Sequence, residues 1–162
     1  MKKRTSLYLT RGAMIAALYV ALTYLSGLVG LSSGVIQFRI SEALAILPVF
    51  FPEAILGLTL GCFISNLAVG GVIWDAVFGS LATLIGALGA RILRFLPEKL
   101  KWLLGLPTVL ANAFIVPFVL QYAYGIEDGY WFLFLTVGLG ELVCAGIGGA
   151  ILYYSVKRKL RF

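Results

Sequence analysis

Two charged residues open an otherwise apolar run that reads Gln37-Phe38-Arg39-Ile40-Ser41-Glu42-Ala43-Leu44-Ala45-Ile46-Leu47-Pro48. If this run is helical, Arg39 and Glu42 share one face, where they can pair with each other or together face a polar solute. A charged group inside a bilayer is costly unless it is paired or wetted, so an intramembrane arginine or glutamate indicates a functional site. The first question is therefore whether the run lies in a membrane.

The composition predicts a membrane protein. Hydrophobic residues make up 61% of the chain, charged residues only 12%, and there is no histidine, while the mean hydropathy is +1.01. A soluble domain of this size does not need so much apolar surface. Both cysteines, Cys62 and Cys144, lie in apolar runs and are interpreted as packing residues. We expect no metal site, no catalytic residues and no enzyme activity.

Six apolar segments predict an all-α bundle of six transmembrane helices that forms a single domain over residues 1–162. The helices are expected at about 7–29, 36–51, 53–69, 75–95, 102–124 and 130–156, each judged against the roughly 20 residues that cross a bilayer. A flexible loop is expected at 28–34. The first segment is too long for the apolar core of a signal peptide. Pro107 and Pro117 are expected to kink the fifth helix.

The basic residues set the predicted orientation. The net charge of +6 could indicate a nucleic-acid partner, but the lysines and arginines flank the apolar segments, which is typical of membrane topology. With both termini cytoplasmic, every basic residue except Arg39 lies on the inner side: Lys2, Lys3, Arg4, Arg11, Arg91, Arg94, Lys99, Lys101, Lys157, Arg158, Lys159 and Arg161. Five or seven helices would place one basic cluster outside.

The remaining polar residues concentrate in the outer half of the predicted bundle. By helical rise, Arg39, Glu42, Asn66 and Asp75 lie toward the outside, and Asn112 and Glu141 lie near the midplane. This distribution predicts an outward-facing solute cavity that is closed toward the cytoplasm. It does not predict a proton path through the whole membrane, which would need ionisable groups at several depths.

Each of these residues also has a purely structural interpretation. Asp75 can be the N-cap of the fourth helix, and Asn112 can join two helices by a hydrogen bond. Arg39 and Glu42 can pair simply to hold the second helix against a neighbour. Glu141 lies in a glycine-rich segment with no lysine at its depth, which favours a binding role.

Alanines recur every four residues along the first helix, at Ala13, Ala17 and Ala21, with Gly12 and Ala16 beside them. Small residues at this spacing let another helix approach closely. The alanines can therefore dock a partner protein, or they can pack helices within this chain.

The chain resembles the QueT family of queuosine-precursor transporters. The resemblance rests on the run 37–48, the alanine spacing, the six-helix plan, and the stretches Gly61-Cys62-Phe63-Ile64-Ser65-Asn66-Leu67 and Trp74-Asp75-Ala76-Val77-Phe78-Gly79-Ser80-Leu81-Ala82-Thr83. It implies a multi-pass substrate-specificity (S) component of an energy-coupling-factor (ECF) transporter in a bacterial plasma membrane. The implied partners are membrane lipid, a T component and two cytoplasmic ATPases, and the implied cargo is a 7-deazaguanine base such as 7-aminomethyl-7-deazaguanine or queuine.

The residues fit that implied cargo. A deazaguanine offers N1–H and an exocyclic amine to one carboxylate and an aminomethyl cation to a second, roles that suit Glu42 and Glu141, with Asp75 in reserve. Arg39 is assigned to orienting Glu42 or the O6 carbonyl. Aromatic residues near the outer end are expected to stack on the flat base: Phe38, Trp74, Tyr122 and Tyr124.

The energy source must lie in another polypeptide, since the chain has no Gly-x-x-x-x-Gly-Lys-Ser/Thr phosphate loop. We therefore expect no cofactor on this chain and ATP use by the partner ATPases. Two alternatives stay open. The chain can be an S component for another small vitamin-like solute, or a stand-alone proton-coupled carrier with Glu141 as its proton site.

Overall fold

A computed structural model describes residues 2–30, 37–69 and 71–160, with side chains from Thr5 onward. Within these ranges every regular element is helical, which confirms the all-α prediction. The α-helices are α1 (Lys2–Leu28), α2 (Ala54–Ala68), α3 (Ile73–Ile92), α4 (Leu106–Tyr124), α5 (Tyr130–Glu141) and α6 (Gly149–Leu160). Three 3₁₀ helices cover Ile40–Val49, Leu93–Phe95 and Glu98–Gly105, and a π helix covers Leu142–Gly148.

These elements join into six helical segments in the described part of the chain, as the sequence predicted. Four of them are long and apolar enough to cross a membrane: Thr5–Leu28, Ile73–Phe95, Glu98–Tyr124 and Tyr130–Leu160. The other two, Ile40–Val49 and Ala54–Ala68, are shorter apolar helices. Length alone therefore supports a multi-pass membrane protein with four clear spans.

The second segment differs from the prediction of a helix over 36–51. It is a ten-residue 3₁₀ helix, and Arg39 precedes it in an extended conformation with φ −98° and ψ 100°. A Cβ on Gly140 would lie only 2.0 Å from the carbonyl oxygen of Gln37. Arg39 is therefore the N-cap of the 3₁₀ helix and not a residue within it, and the predicted helical spacing to Glu42 is wrong.

The last segment contains a π helix that the sequence prediction missed. Residues Leu142–Gly148 form it between α5 and α6, immediately after Glu141. Single π turns inside helices are frequent at functional sites. In the preceding segment Pro107 lies in the first turn of α4, where its missing N–H needs no helical partner. Only Pro117 is inside that helix.

Helices α1 and α2 pack closely through glycines. A Cβ on Gly57 would lie 2.5 Å from the Gly12 carbonyl oxygen, and one on Gly61 would lie 2.9 Å from that of Ala16. The spacing of Gly57 and Gly61 is the small-xxx-small pattern that permits such contact. The predicted docking alanines, Ala13, Ala17 and Ala21, are exposed.

Basic side chains form ion pairs and hydrogen bonds between the elements at one end of the bundle, here called the basic end. Arg11 pairs with the buried Glu53 at 3.6 Å, and Lys157 pairs with Glu98 at 2.6 Å. Arg91 donates to the carbonyl oxygens of Pro48 and Val49 at 2.9 and 3.1 Å. The side chains of Lys2, Lys3 and Arg4, together with Arg161, Gly70 and residues 31–36, which include most of the predicted loop at 28–34, lie outside the described residues.

Candidate functional site

A polar stripe on α1 binds the start of the 3₁₀ helix Ile40–Val49. The Tyr19 hydroxyl donates to Oε1 of Glu42. One turn further, the Thr23 hydroxyl lies 2.8 Å from that of Ser41, and Ser26 accepts a hydrogen bond from the Ile40 amide at 3.1 Å. All these side chains are shielded from solvent. The stripe therefore fixes the position of Glu42 from the side of α1.

Glu42 keeps an unused acceptor in this buried position. The residue is 2% exposed, and its Oε2 atom has no hydrogen-bond partner. A buried acceptor without a partner costs about 1–3 kcal/mol, and native structures contain few such groups. A ligand N–H directed at Oε2 would remove that cost.

Arg39 joins a second cluster at the end of the bundle opposite the basic end. Its Nη1 donates to Oδ1 of Asn66 at 3.0 Å, and its Nη2 lies 3.5 Å from Oδ2 of Asp75. The Asn66 amide donates to the Asp75 carbonyl at 3.2 Å. The same Oδ2 of Asp75 accepts a hydrogen bond from the Tyr124 hydroxyl at 3.1 Å. The cluster thus connects α2, α3 and α4 to the segment that precedes the 3₁₀ helix.

Asp75 is not the N-cap of its helix. Helix α3 begins at Ile73 with Val72 as N-cap, and Val72 makes no side-chain cap bond. Asp75 lies in the first turn, where a carboxylate also interacts favourably with the helix dipole. The N-cap interpretation is therefore wrong, and the carboxylate is instead the ion-pair partner of Arg39.

Glu141 lies at the end of α5, directly before the π helix. It is 6% exposed, its side chain is hydrogen-bonded to Asn112 of α4, and it is close enough to Glu42 for their charges to interact. Like Glu42, it has an Oε2 atom with no hydrogen-bond partner. The structure therefore brings together two buried acids, each with a spare oxygen, from distant parts of the sequence.

Three of the four aromatic residues predicted to stack on the ligand separate into two groups. Trp74 is 57% exposed and Tyr122 is 85% exposed. Together with Phe78 and Phe118 they line an apolar groove of about 610 Å³ between α3 and α4. Tyr124 instead reaches the Arg39 cluster. The structure does not bring Trp74 and Tyr122 to the buried polar groups, and their stacking role stays a prediction.

Sequence reasoning missed Tyr19, Thr23 and Ser26 as site residues. The signal was present, since these polar residues recur at spacings of four and three along α1, on a different face from the exposed alanines. A hydroxyl stripe in an apolar helix can bind a neighbouring helix. Among the described residues, no three His, Cys, Asp or Glu side chains come together as a possible metal site.

Comparison with known proteins gives one family. A family model described as QueT transporter matches residues 9–158. The protein "Queuosine precursor transporter QueT" of Lactococcus lactis subsp. cremoris (strain MG1363) is 31% identical over 166 residues, covering 98% of this chain and 97% of the relative. No solved structure gives a significant match.

Proposed function

The chain belongs to the QueT transporter family, and from this membership we propose that it is the S component of an ECF importer for a queuosine precursor. Membership makes it a multi-pass membrane transporter and not an enzyme. The proposed cargo is 7-aminomethyl-7-deazaguanine or a related base such as queuine. The proposed partners are a T component and two ATPases.

The observation that carries the proposal is the pair of spare carboxylate oxygens on Glu42 and Glu141. A 7-deazaguanine base presents N1–H and an exocyclic amine, and one of these N–H groups can donate to the spare oxygen of one acid. The aminomethyl cation matches the other, because charge-assisted hydrogen bonds are stronger than neutral ones. A neutral, acceptor-rich solute would leave both acids unsatisfied.

The proposed topology has six spans, both termini cytoplasmic and a bacterial plasma membrane as its location. Arg11, Arg91 and Lys157 lie together at the basic end, and the acidic turn with Glu127 and Asp128 follows α4 at the opposite end. This distribution agrees with the positive-inside rule when the basic end is cytoplasmic. Helix α2 and the 3₁₀ helix Ile40–Val49 are too short to be clear spans alone. In the proposed topology they place Asn66 and Glu42 inside the bundle.

Partner ATPases supply the energy in this proposal. The sequence has no phosphate loop of the Walker type, and the exposed Ala13, Ala17 and Ala21 offer a small-residue surface to a partner helix. The alternatives are an S component for another vitamin-like solute and a carrier that works alone with Glu141 as its proton site. The buried position of Glu141 is the observation in favour of the carrier.

A binding titration tests the proposed cargo. The purified chain is titrated calorimetrically with 7-aminomethyl-7-deazaguanine, queuine and guanine. We expect the two aminomethyl-bearing bases to bind more tightly than guanine, which has no cation for the second carboxylate. Equal affinity for guanine, or no binding of any of the three, would contradict the proposed cargo.

A further inference from the structure

Asp75 is occupied by donors from the protein itself. Its Oδ2 atom lies 3.5 Å from Nη2 of Arg39 and 3.1 Å from the Tyr124 hydroxyl. The Arg39 and Asp75 side chains are 11% and 10% exposed. A Cβ on Gly71 would lie 3.3 Å from both Oδ2 and the Tyr124 oxygen, so the backbone also closes in on this carboxylate. Asp75 is therefore built to face Arg39.

Arg39 needs such a partner because of the ligand proposed for the site. Its guanidinium contacts Asn66 and Asp75. Arg39 is three residues along the chain from Glu42, and its charge interacts with the charges of Glu42 and Glu141. The positive charge of Arg39 repels a cationic ligand, and this repulsion is strong where water is excluded. The ion pair with Asp75 cancels this charge within the protein.

We propose that Asp75 is a positioning residue that sets the charge selectivity of the site: by neutralising Arg39, it lets a cationic base bind beside Glu42 and Glu141. Tyr124 also donates a hydrogen bond to the Asp75 carboxylate but carries no charge. The inference rests on the proposed function, because it takes a 7-deazaguanine base as the ligand. It changes the expected role of Asp75 from a reserve ligand contact to a residue that acts through Arg39.

The test compares a cationic with a neutral base of the same size. Dissociation constants are measured for 7-aminomethyl-7-deazaguanine and for its 7-hydroxymethyl analogue, and their ratio gives the charge preference. Asp75→Asn removes the negative charge opposite Arg39, and the preference for the cation should fall by roughly tenfold, the order of magnitude of a Coulomb interaction at an effective dielectric of about 20. An unchanged ratio would overturn the proposal.

Two further variants separate charge from structure. Tyr124→Phe removes a hydrogen bond to Asp75 but no charge, so its ratio should equal that of the wild type even if both affinities fall. The double variant Arg39→Gln/Asp75→Asn removes both charges and should restore the wild-type ratio. If the double variant keeps the low ratio of Asp75→Asn, Asp75 contacts the cation directly and the proposal is wrong.

If Asp75→Asn does not fold, the same ratio of dissociation constants is measured in Arg39→Gln alone. That variant retains the Asp75 charge without its partner, so the ratio should shift toward the cation, and a shift toward the neutral base would overturn the proposal. Failure of the proposed function is distinguishable, because the wild-type chain would then bind neither base. Wild-type binding with no effect of these charges would refute only the role of Asp75.

Discussion

At the residue scale, the distinguishing feature of this molecule is unsatisfied hydrogen-bonding capacity. Within the described residues, the buried side-chain atoms without a partner are Oε2 of Glu42, Oε2 of Glu141 and Oγ1 of Thr108. Thr108 packs against Gly86, where a Cβ would lie 2.4 Å from its hydroxyl. The two acids have no such packing explanation. A ligand with N–H donors can remove the cost of leaving these oxygens unpaired.

Glu141→Gln should weaken binding of 7-aminomethyl-7-deazaguanine by at least about tenfold, because a hydrogen bond to a charged group contributes about 1.5–3 kcal/mol. Glu42→Gln should do the same. Calorimetric titration of the purified variants measures both effects. Glu127→Gln is the control, since Glu127 is exposed in the turn after α4 and should bind normally. Unchanged affinity in Glu141→Gln would remove Glu141 from the site.

Arg39→Lys should cost more in stability than in ligand affinity. Lysine keeps the charge opposite Asp75, but it cannot reproduce the planar fork that reaches Asn66 and Asp75 together. We expect a lower midpoint of thermal unfolding and a dissociation constant within a few-fold of the wild-type value. The exposed Arg158→Lys serves as control for both measurements. A complete loss of binding at an unaltered melting temperature would show that Arg39 contacts the ligand itself.

The sequence singled out the candidate residues of this site but not how they pair with each other. Glu42, Asp75 and Glu141 were identifiable because charge is rare in apolar segments. How they pair was not, because the contact of Tyr124 with Asp75 spans 49 positions and depends on how α3 and α4 pack. Tyr124 was expected to stack on the base, and its hydrogen bond to Asp75 was not foreseen.

At the scale of elements, glycines determine where the short segments lie. Gly140 lets the backbone at Gln37 pass close to α5, and Gly148 and Gly149 lie against Ala43 and Ile46 of the 3₁₀ helix. Each contact would be tightened or blocked by a side chain. The glycine-rich end of the chain is therefore the surface on which the segment that carries Glu42 rests.

Gly140→Ala should destabilise the protein and weaken ligand binding, because its Cβ would lie 2.0 Å from the Gln37 carbonyl oxygen and force the backbone apart. We expect a loss of about 1–3 kcal/mol, typical of overpacking. Gly138→Ala is the matched control on the same helix, because its nearest neighbour would be the Ala113 Cβ at an ordinary 3.5 Å. Thermal unfolding and calorimetry compare the two. Equal stabilities would refute the importance of this crossing.

The elements also show where sequence reasoning stops. Hydrophobic length predicted six segments, and the structure confirms six helical segments among the described residues. Hydrophobic length did not predict the 3₁₀ helix Ile40–Val49 or the π helix Leu142–Gly148. The two elements contact each other, for example at Gly148 and Ala43, and a hydrophobic pattern carries no information on contacts between residues so far apart in the sequence.

At the scale of the whole molecule, α1 connects two surfaces with different properties. One face carries Tyr19 and Thr23, which contact the segment of Glu42, while the alanines at 13, 17 and 21 are exposed. A helix with this arrangement can take part in ligand binding on one side and in partner docking on the other. The two roles should therefore be separable by mutation.

Ala17→Trp should block assembly with the T component by steric overlap and leave ligand binding by the isolated chain intact, because Ala17 is exposed away from the Tyr19 contact. Ala13→Trp should act in the same way. A pull-down of the T and ATPase subunits and a ligand titration are made on the same variant. Leu139→Trp, at an exposed position of α5, is the control for a bulky membrane-facing residue. Intact assembly with lost binding would show that the alanines pack within this chain.

Uptake into proteoliposomes tests the proposed function of the whole molecule most directly. The chain is reconstituted alone and with the T component and both ATPases, and accumulation of labelled 7-aminomethyl-7-deazaguanine is followed with and without ATP. We predict uptake only by the complete assembly, dependent on ATP and insensitive to an uncoupler. Uptake by the chain alone that an uncoupler abolishes would contradict the account and identify a proton-coupled carrier.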